Sequence, residues 1–146
     1  MTQLSPHFSL EEFTHSQTAC RLCMDNTPSD AVLAELAHTA IGMEGVRAIL
    51  GVPITISSGY RSPQVNRAVG GVPNSQHTLG EAVDFIAPSF GTPLQIVRKI
   101  KSSGLHFDQL IQEGDWVHIS FGPQMRGEVL TAHFMAGQPT AYTQGA

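Results

Sequence analysis

The sequence has few charges and no long apolar run. Charged residues make up 14% of the 146 residues, and the formal net charge is −4. Proteins that bind nucleic acid through bulk electrostatics carry a basic surface, so this charge balance argues against that class. No apolar stretch approaches the roughly 20 residues that a membrane-spanning helix needs. We therefore expect no nucleic-acid partner and no insertion into a membrane.

Cysteine is also scarce, with Cys20 and Cys23 in a single CxxC pattern. Such a pair can be half of a metal site or a redox pair. A structural zinc site needs two further ligands, and the surrounding sequence offers only His15. The missing ligands favour the simpler interpretation of two small thiols in a loop.

The N-terminal stretch MTQLSPHFSLEEF lacks the basic and apolar regions of a secretory signal. We therefore expect synthesis in the cytoplasm, and any action outside it requires another route of release. The length fits one domain over residues 1–146, and the 41% hydrophobic content is ordinary for a globular protein.

The pattern of apolar residues predicts helices early in the chain and short strands later, which is an α+β arrangement. Ser9 and Glu12 form a capping-box pattern and predict a first helix over 9–16. Thr27 and Pro28 predict the start of a long helix that ends at Gly51. The remaining predictions are helices over 64–69 and 92–103, strands over 54–57, 82–86, 110–111, 116–121 and 129–135, an irregular segment over 15–26, and a frayed C-terminus.

Asp84 is the most informative single residue, because it lies between Val83 and Phe85 in an apolar strand. A carboxylate is costly to bury unless it meets a cation, several donors or a metal. His77 precedes it by seven residues, and the loop containing Gly80 can bring the imidazole back beside the carboxylate.

His118 interrupts a second apolar run, Trp116 to Ser120, in the same way. Two histidines and a carboxylate are three zinc ligands, and three protein ligands leave the fourth position open, as in catalytic zinc sites. Asp115, three residues before His118, is a candidate general base.

Each of these residues also has a plain structural interpretation. A histidine in a strand is more often a hydrogen-bonded core residue than a ligand. Asp115 after Gly114 fits a turn, Arg61 beside Tyr60 fits a surface cation, and Ser75 fits an ordinary loop. The group of residues, rather than any single member, favours a metal site. The other histidines keep the plain interpretation: His7, His15, His38, His106 and His133.

Four segments together resemble the D-alanyl-D-alanine carboxypeptidase family of zinc metallopeptidases. They are SGYRSxxxN over 58–66, VGG over 69–71, SxHxxGxAxDF over 75–85 and DWVH over 115–118. That family includes L-alanyl-D-glutamate endopeptidases and is grouped with lysostaphin-type and hedgehog-type domains. The resemblance covers about residues 5–121 and is nearest to short single-domain members common in bacteriophage genomes.

The resemblance implies a hedgehog-like α+β fold, with a small antiparallel sheet and flanking helices, that hydrolyses the peptide stems of peptidoglycan. It implies that His77, Asp84 and His118 bind one zinc ion, that Asp115 is the general base, and that Arg61 holds a carbonyl or carboxylate of the substrate. Three further residues are implied to contact the substrate: Ser75, Tyr60 and Trp116.

The resemblance leaves two questions open. Carboxypeptidases and endopeptidases share these ligands, so it does not select the bond, and the setting it favours is phage-type lysis of the cell wall. The alternative is a zinc-containing module that binds or assembles without catalysis, such as a phage tail component. The sequence also departs from some members, which carry a histidine where Glu113 stands.

Overall fold

The computed structural model describes residues 2–146 as an α+β fold, which confirms the predicted class. A two-stranded antiparallel sheet stands beside a six-stranded sheet. Among residues 2–146, no helix is long and apolar enough to cross a bilayer. The assignment of residues 1–146 to a single domain stays a prediction.

The N-terminal segment begins with the small sheet of β1 (Gln3–Ser5) and β2 (Phe8–Ser9). Helix α1 (Leu10–Thr14) follows, and the Ser9–Glu12 capping box is present with both of its hydrogen bonds. The predicted irregular segment over 15–26 contains a further helix, α2 (Gln17–Leu22), which the polar composition did not reveal. The hydroxyl of Ser16 caps this helix by accepting from the Ala19 N–H.

Helix α3 (Asp30–Leu50) is the longest element and carries the apolar stripe seen in the sequence. Its N-cap is Ser29 rather than Thr27, because the Ser29 hydroxyl accepts the hydrogen bond from the Val32 N–H. Gly51 ends the helix in the left-handed conformation, at a φ of +68°. A residue with a Cβ is strained there, so glycine is a natural terminator. The buried face of α3 consists of Leu36, Thr39, Ala40, Met43, Val46 and Leu50.

The six-stranded sheet has the order β3-β4-β6-β5-β7-β8, and every neighbouring pair is antiparallel except β5 and β7. Its strands are β3 (Thr55–Ser58), β4 (Ala82–Ile86), β5 (Gln109–Glu113), β6 (Trp116–Ser120), β7 (Glu128–His133) and β8 (Ala141–Gln144). The connections contain α4 (Pro63–Ala68), a 3-10 helix (Gln76–Leu79) and α5 (Pro93–Ser102). The strand β8 lies in the region predicted to be frayed.

The two faces of this sheet have different functions in the fold. One face presents Val83, Phe85, Val117 and Ile119, which join the hydrophobic core with α3 and α5. Because strand side chains alternate, Asp84 and His118 lie on the opposite face, which we call the metal face. The core therefore fixes the strands that present the candidate site.

Candidate metal centre and active-site cleft

Asp84 and His118 are brought together by strand pairing. The antiparallel register of β4 and β6 places Asp84 directly opposite His118. Opposed residues in a sheet point to the same side, within contact distance. The Nδ1 atom of His118 lies 3.0 Å from Oδ1 of Asp84. The register of two core strands therefore fixes this half of the site.

His77 reaches the same carboxylate from the 3-10 helix. Ser75 caps that helix, and Gly80 ends it at a φ of +78°. The Nδ1 atom of His77 lies 2.8 Å from the Gly59 carbonyl oxygen, which can only accept, so Nδ1 carries the hydrogen. The other ring nitrogen, Nε2, lies 3.4 Å from Oδ1 of Asp84.

The donor set fits a zinc ion. One ligand atom from each of His77, Asp84 and His118 lies within 4.8 Å of the others. In a tetrahedral zinc site, neighbouring ligand atoms are roughly 3.3–3.5 Å apart, close to the separations of 3.0 and 3.4 Å seen here. Because Nδ1 of His77 bonds to the Gly59 carbonyl, its Nε2 is the ring atom that faces the Asp84 carboxylate and is placed to bind a metal. These residues are therefore suited to hold the metal.

The acidity of Asp84 agrees with a cation site. Burial alone would raise its pKa, but charge on His77 and the hydrogen bonds from His118 and His77 outweigh burial. The net result is a pKa well below the usual range, so Asp84 is a carboxylate at neutral pH.

Glu113 is the acid that faces this centre. It ends β5 and pairs with Trp116. Ile111 pairs with His118 and therefore lies on the metal face. Residues two apart on a strand share a face, so Glu113 lies on the metal face as well. Burial raises the pKa of Glu113, the charge on Asp84 adds to this, and His118 and Arg61 oppose it. A carboxylate with a raised pKa is a stronger base.

Asp115, expected to be the general base, is not brought to the metal-binding residues. The pairing of Glu113 with Trp116 leaves Gly114 and Asp115 as a two-residue turn. The Asp115 side chain is exposed and lines a cavity of about 180 Å³ together with core-side residues such as Val117. Alternation along β6 explains why Asp115 is away from the metal-binding residues. Trp116 and His118 are two apart and share the metal face, whereas Asp115 directly precedes Trp116 and lies on the other side.

Arg61 is held against the segment that carries His77. Its backbone N–H donates to the His77 carbonyl at 3.1 Å, and its Nη2 donates to the Ser75 hydroxyl at 3.3 Å. Its Nε atom is buried and has no hydrogen-bond partner within residues 2–146. Burial lowers the pKa of Arg61, whereas Asp84 and Glu113 raise it. A guanidinium stays charged under these conditions, so it can receive an anionic or carbonyl oxygen.

The other two predicted substrate contacts are Tyr60 and Trp116, and they lie in different surroundings. Tyr60 is 6% exposed and lines a cavity of about 440 Å³, together with Arg61. Trp116 is on the metal face opposite Glu113, and its Nε1 is buried without a partner in the described chain. The structure therefore brings Arg61, Ser75 and the three ligands together and places Trp116 on the metal face, whereas Tyr60 packs in the hydrophobic core and shares a cavity with Arg61.

The remaining candidates do not join this centre. Within residues 2–146, the only cluster of three or more ligand-type side chains suited to a metal is His77, Asp84 and His118. Cys20 and Cys23 are free and exposed. Nδ1 of His7 lies 2.7 Å from Oε1 of Glu44, within hydrogen-bond distance.

Comparison with known proteins agrees with this geometry. Residues 6–120 match the family model described as Peptidase M15, and that segment contains all of the residues assigned to the centre. M15 peptidases are zinc-dependent. No curated protein matches the chain. The match covers well over half of the sequence, and the chain therefore belongs to the peptidase M15 family.

Proposed function

We propose that this protein is a zinc-dependent peptidase that hydrolyses peptide bonds in the stem of bacterial peptidoglycan. The observation that carries the proposal is the meeting of three ligand side chains with a partly buried acid and a partly buried arginine whose charges act on the same carboxylate. The ligands are His77, Asp84 and His118, and the flanking groups are Glu113 and Arg61. A binding module needs neither flanking group, whereas peptide hydrolysis uses both.

The metal, when bound, supplies a Lewis acid that polarises the scissile carbonyl. His77, Asp84 and His118 would hold it. Glu113 is the general base in this proposal: it accepts a proton from the attacking water and passes it to the leaving amine. This assigns to Glu113 the role that the resemblance implied for Asp115.

Arg61 binds the substrate in this mechanism. Its unpartnered Nε and the adjoining cavity of about 440 Å³ suit a substrate carboxylate or carbonyl oxygen. Ser75 fixes the guanidinium through the bond at 3.3 Å and also caps the helix that carries His77. Tyr60 forms a wall of the same cavity.

The proposal covers two reactions, because both use the same ligands. One removes a terminal D-alanine, and the other cuts the L-alanyl-D-glutamate bond. We further propose cell-wall lysis of the bacteriophage type as the biological setting, on the strength of the resemblance of the four motif segments.

The test is mass spectrometry of peptidoglycan fragments after incubation with zinc-loaded protein, beside a chelator-treated control. We expect a product that the chelator abolishes, and its mass identifies the bond. The matched variants are Glu113→Gln and Asp115→Asn, of which only the first should remove activity. A zinc-loaded wild type that cleaves no stem peptide would refute the peptidase and favour the non-catalytic module.

A further inference from the structure

The C-terminal hairpin, formed by β7 and β8 over residues 128–144, lies beyond the segment that matches the family model. It extends the sheet that carries the candidate site. Strand β7 runs parallel to β5 with Leu130 beside Ile111, and β8 pairs with β7 so that Tyr142 lies opposite Ala132. The sheet therefore continues beyond β5, and side chains of the hairpin can lie on the metal face near Glu113.

The register places Tyr142 on the metal face. Thr131 pairs with Gln112, so the next residue of the parallel pair, Ala132, stands beside Glu113. Partners in a ladder point to the same side of the sheet, and Tyr142 is the partner of Ala132. Tyr142 on β8 is thus in the same cross-strand row as Glu113 on β5, and Ala132 on β7 lies between them.

Two further facts describe the surroundings of the phenol. The Tyr142 side chain is only partly covered, with 51% of its surface exposed, so the ring is available to a ligand. Burial raises its pKa, and the carboxylates of Glu113 and Asp84 raise it further. These charges act on the phenol from the same face of the sheet, and a raised pKa favours the protonated form, which donates a hydrogen bond.

The hairpin also contacts the turn formed by Gly114 and Asp115 and the tryptophan that follows it. The ring of Phe134, just after β7, lies 6.1 Å from the ring of Trp116. Gly114 makes this approach possible, since a Cβ there would stand 3.2 Å from the Phe134 ring. The aromatic contact therefore ties the loop of the hairpin to the turn that follows Glu113.

We propose that Tyr142 is a substrate-binding residue, whose hydroxyl donates a hydrogen bond to a carbonyl of the stem peptide on the Glu113 side of the cut bond. This inference rests on the proposed peptidase function and deepens it. The substrate lies across the metal face between two recognition groups, Arg61 at one end and Tyr142 at the other. The second group comes from a part of the chain outside the family match.

A binding titration tests this without turnover. The probe is a synthetic stem pentapeptide that contains the L-alanyl-D-glutamate and D-alanyl-D-alanine bonds, added to zinc-loaded Glu113→Gln protein. The single tryptophan, Trp116, lies in the cleft, so its emission reports binding. In this background, Tyr142→Phe should weaken binding about 3- to 10-fold, the range of one hydrogen bond. Tyr142→Ala should weaken it further, because the ring is lost as well.

The matched control is Thr143→Val, on the same strand but the opposite face. The Thr143 hydroxyl bonds to His133 Nε2 at 2.8 Å, so this change perturbs the hairpin without touching the cleft. We expect affinity, zinc content and the thermal midpoint close to those of the parent. Equal weakening by Thr143→Val and Tyr142→Phe would reduce Tyr142 to a structural role and overturn the inference.

Steady-state kinetics separate the two proposals. With Glu113 intact, Tyr142→Phe should lower kcat/KM for the pentapeptide while one zinc per chain is kept. A wild type that cleaves, together with a Tyr142→Phe variant of unchanged affinity and kcat/KM, overturns the role of Tyr142 and leaves the peptidase standing. A wild type that cleaves nothing but binds the peptide through Tyr142 retains the contact and refutes catalysis. A pentapeptide that does not bind refutes the contact.

Discussion

Asp84 and Asp108 are the two aspartates that the fold withdraws from water, and they are neutralised in different ways. The Asp108 side chain is 2% exposed and that of Asp84 is 15% exposed. Asp108 accepts from Arg126 Nε at 2.7 Å, Nη2 at 3.1 Å and the backbone N–H at 3.0 Å, and from Gln76 Nε2 at 2.7 Å. Four fixed donors, including a permanent cation, satisfy this carboxylate.

Within residues 2–146, the Asp84 carboxylate has ion-pair distances only to two imidazoles, at 3.0 and 3.4 Å. Neither imidazole is a permanent cation, and the contacting atoms, Nε2 of His77 and Nδ1 of His118, can bind a metal. The first aspartate is therefore satisfied by permanent protein donors, whereas the second lies among atoms that can bind a metal. This difference separates a structural buried carboxylate from a metal ligand, although both have lowered pKa values.

The largest effect should come from exchanging each aspartate for asparagine. Asp84→Asn removes the anionic ligand, so we expect zinc content below one per chain and a loss of peptidase activity of about 1,000-fold or more. Asp108→Asn should keep one zinc per chain, because Asp108 contacts no ligand atom. Elemental analysis of dialysed protein and the mass-spectrometric assay measure both outcomes. Full zinc occupancy in Asp84→Asn would contradict the ligand assignment.

The next effect concerns the two acids of the β5–β6 hairpin. Glu113→Gln should lower kcat by roughly 10²- to 10⁴-fold with zinc retained, because a positioned base contributes about that much. Asp115→Asn should change kcat by less than about threefold, since its side chain lies in an exposed turn. Kinetics with a stem peptide decide between them. The reverse order of effects would restore Asp115 as the base.

This pair also shows how far the sequence alone reaches. The spacing of His77, Asp84 and His118 predicted three ligands, because strand alternation and a glycine-containing loop constrain where such residues can meet. The base was assigned to the acid nearest His118 in sequence. Which acid lies on the metal face depends on the turn length, because the turn sets the register of β5 against β6. The apolar pattern of two short strands does not reveal that register. Alternation of side chains along β5, applied to Ile111 and Glu113, could have predicted that Glu113 lies on the metal face.

The chain termini were harder to predict for a different reason. Helix α2 is held by a Ser16 cap and has a single buried residue, Ala19, so its apolar signal is too short to detect. All four residues of β8 are exposed, so it carries no alternation of buried and exposed positions. Tyr142 therefore had no motif to identify it. Only the ladder with β7 connects it to the site.

The Asp108 cluster consists of Asp108, Arg126 and Gln76. Loss of Arg126 from it should lower the stability of the protein and leave catalysis unchanged. Arg126→Ala leaves a buried carboxylate without its charged partner, and we expect the free energy of unfolding to fall by about 2–3 kcal/mol. Zinc content should stay at one per chain. The control is Arg98→Ala at an exposed position of α5, which should change stability by less than about 0.5 kcal/mol. Chemical denaturation measures both, and equal effects would show that the Arg126–Asp108 pair is not a stabilising contact.

The smallest effect is the pH dependence of the same cluster. The hydrogen bond from Arg126 lowers the pKa of Asp108 to about 2, below the value of about 3.9 in an unfolded chain. Because the folded-state pKa is the lower one, the stabilisation is fully present above about pH 4 and is lost as the pH falls toward 2. It amounts to about 2 kcal/mol.

Metal-free wild type and Asp108→Asn should therefore differ most in unfolding free energy at pH 5–6 and converge near pH 2. Asp84 is present in both proteins, so its own titration cancels from the difference. A gap that stays constant from pH 6 to pH 2 would mean that Asp108 does not owe its charge to Arg126, and the contrast with Asp84 would lose its basis.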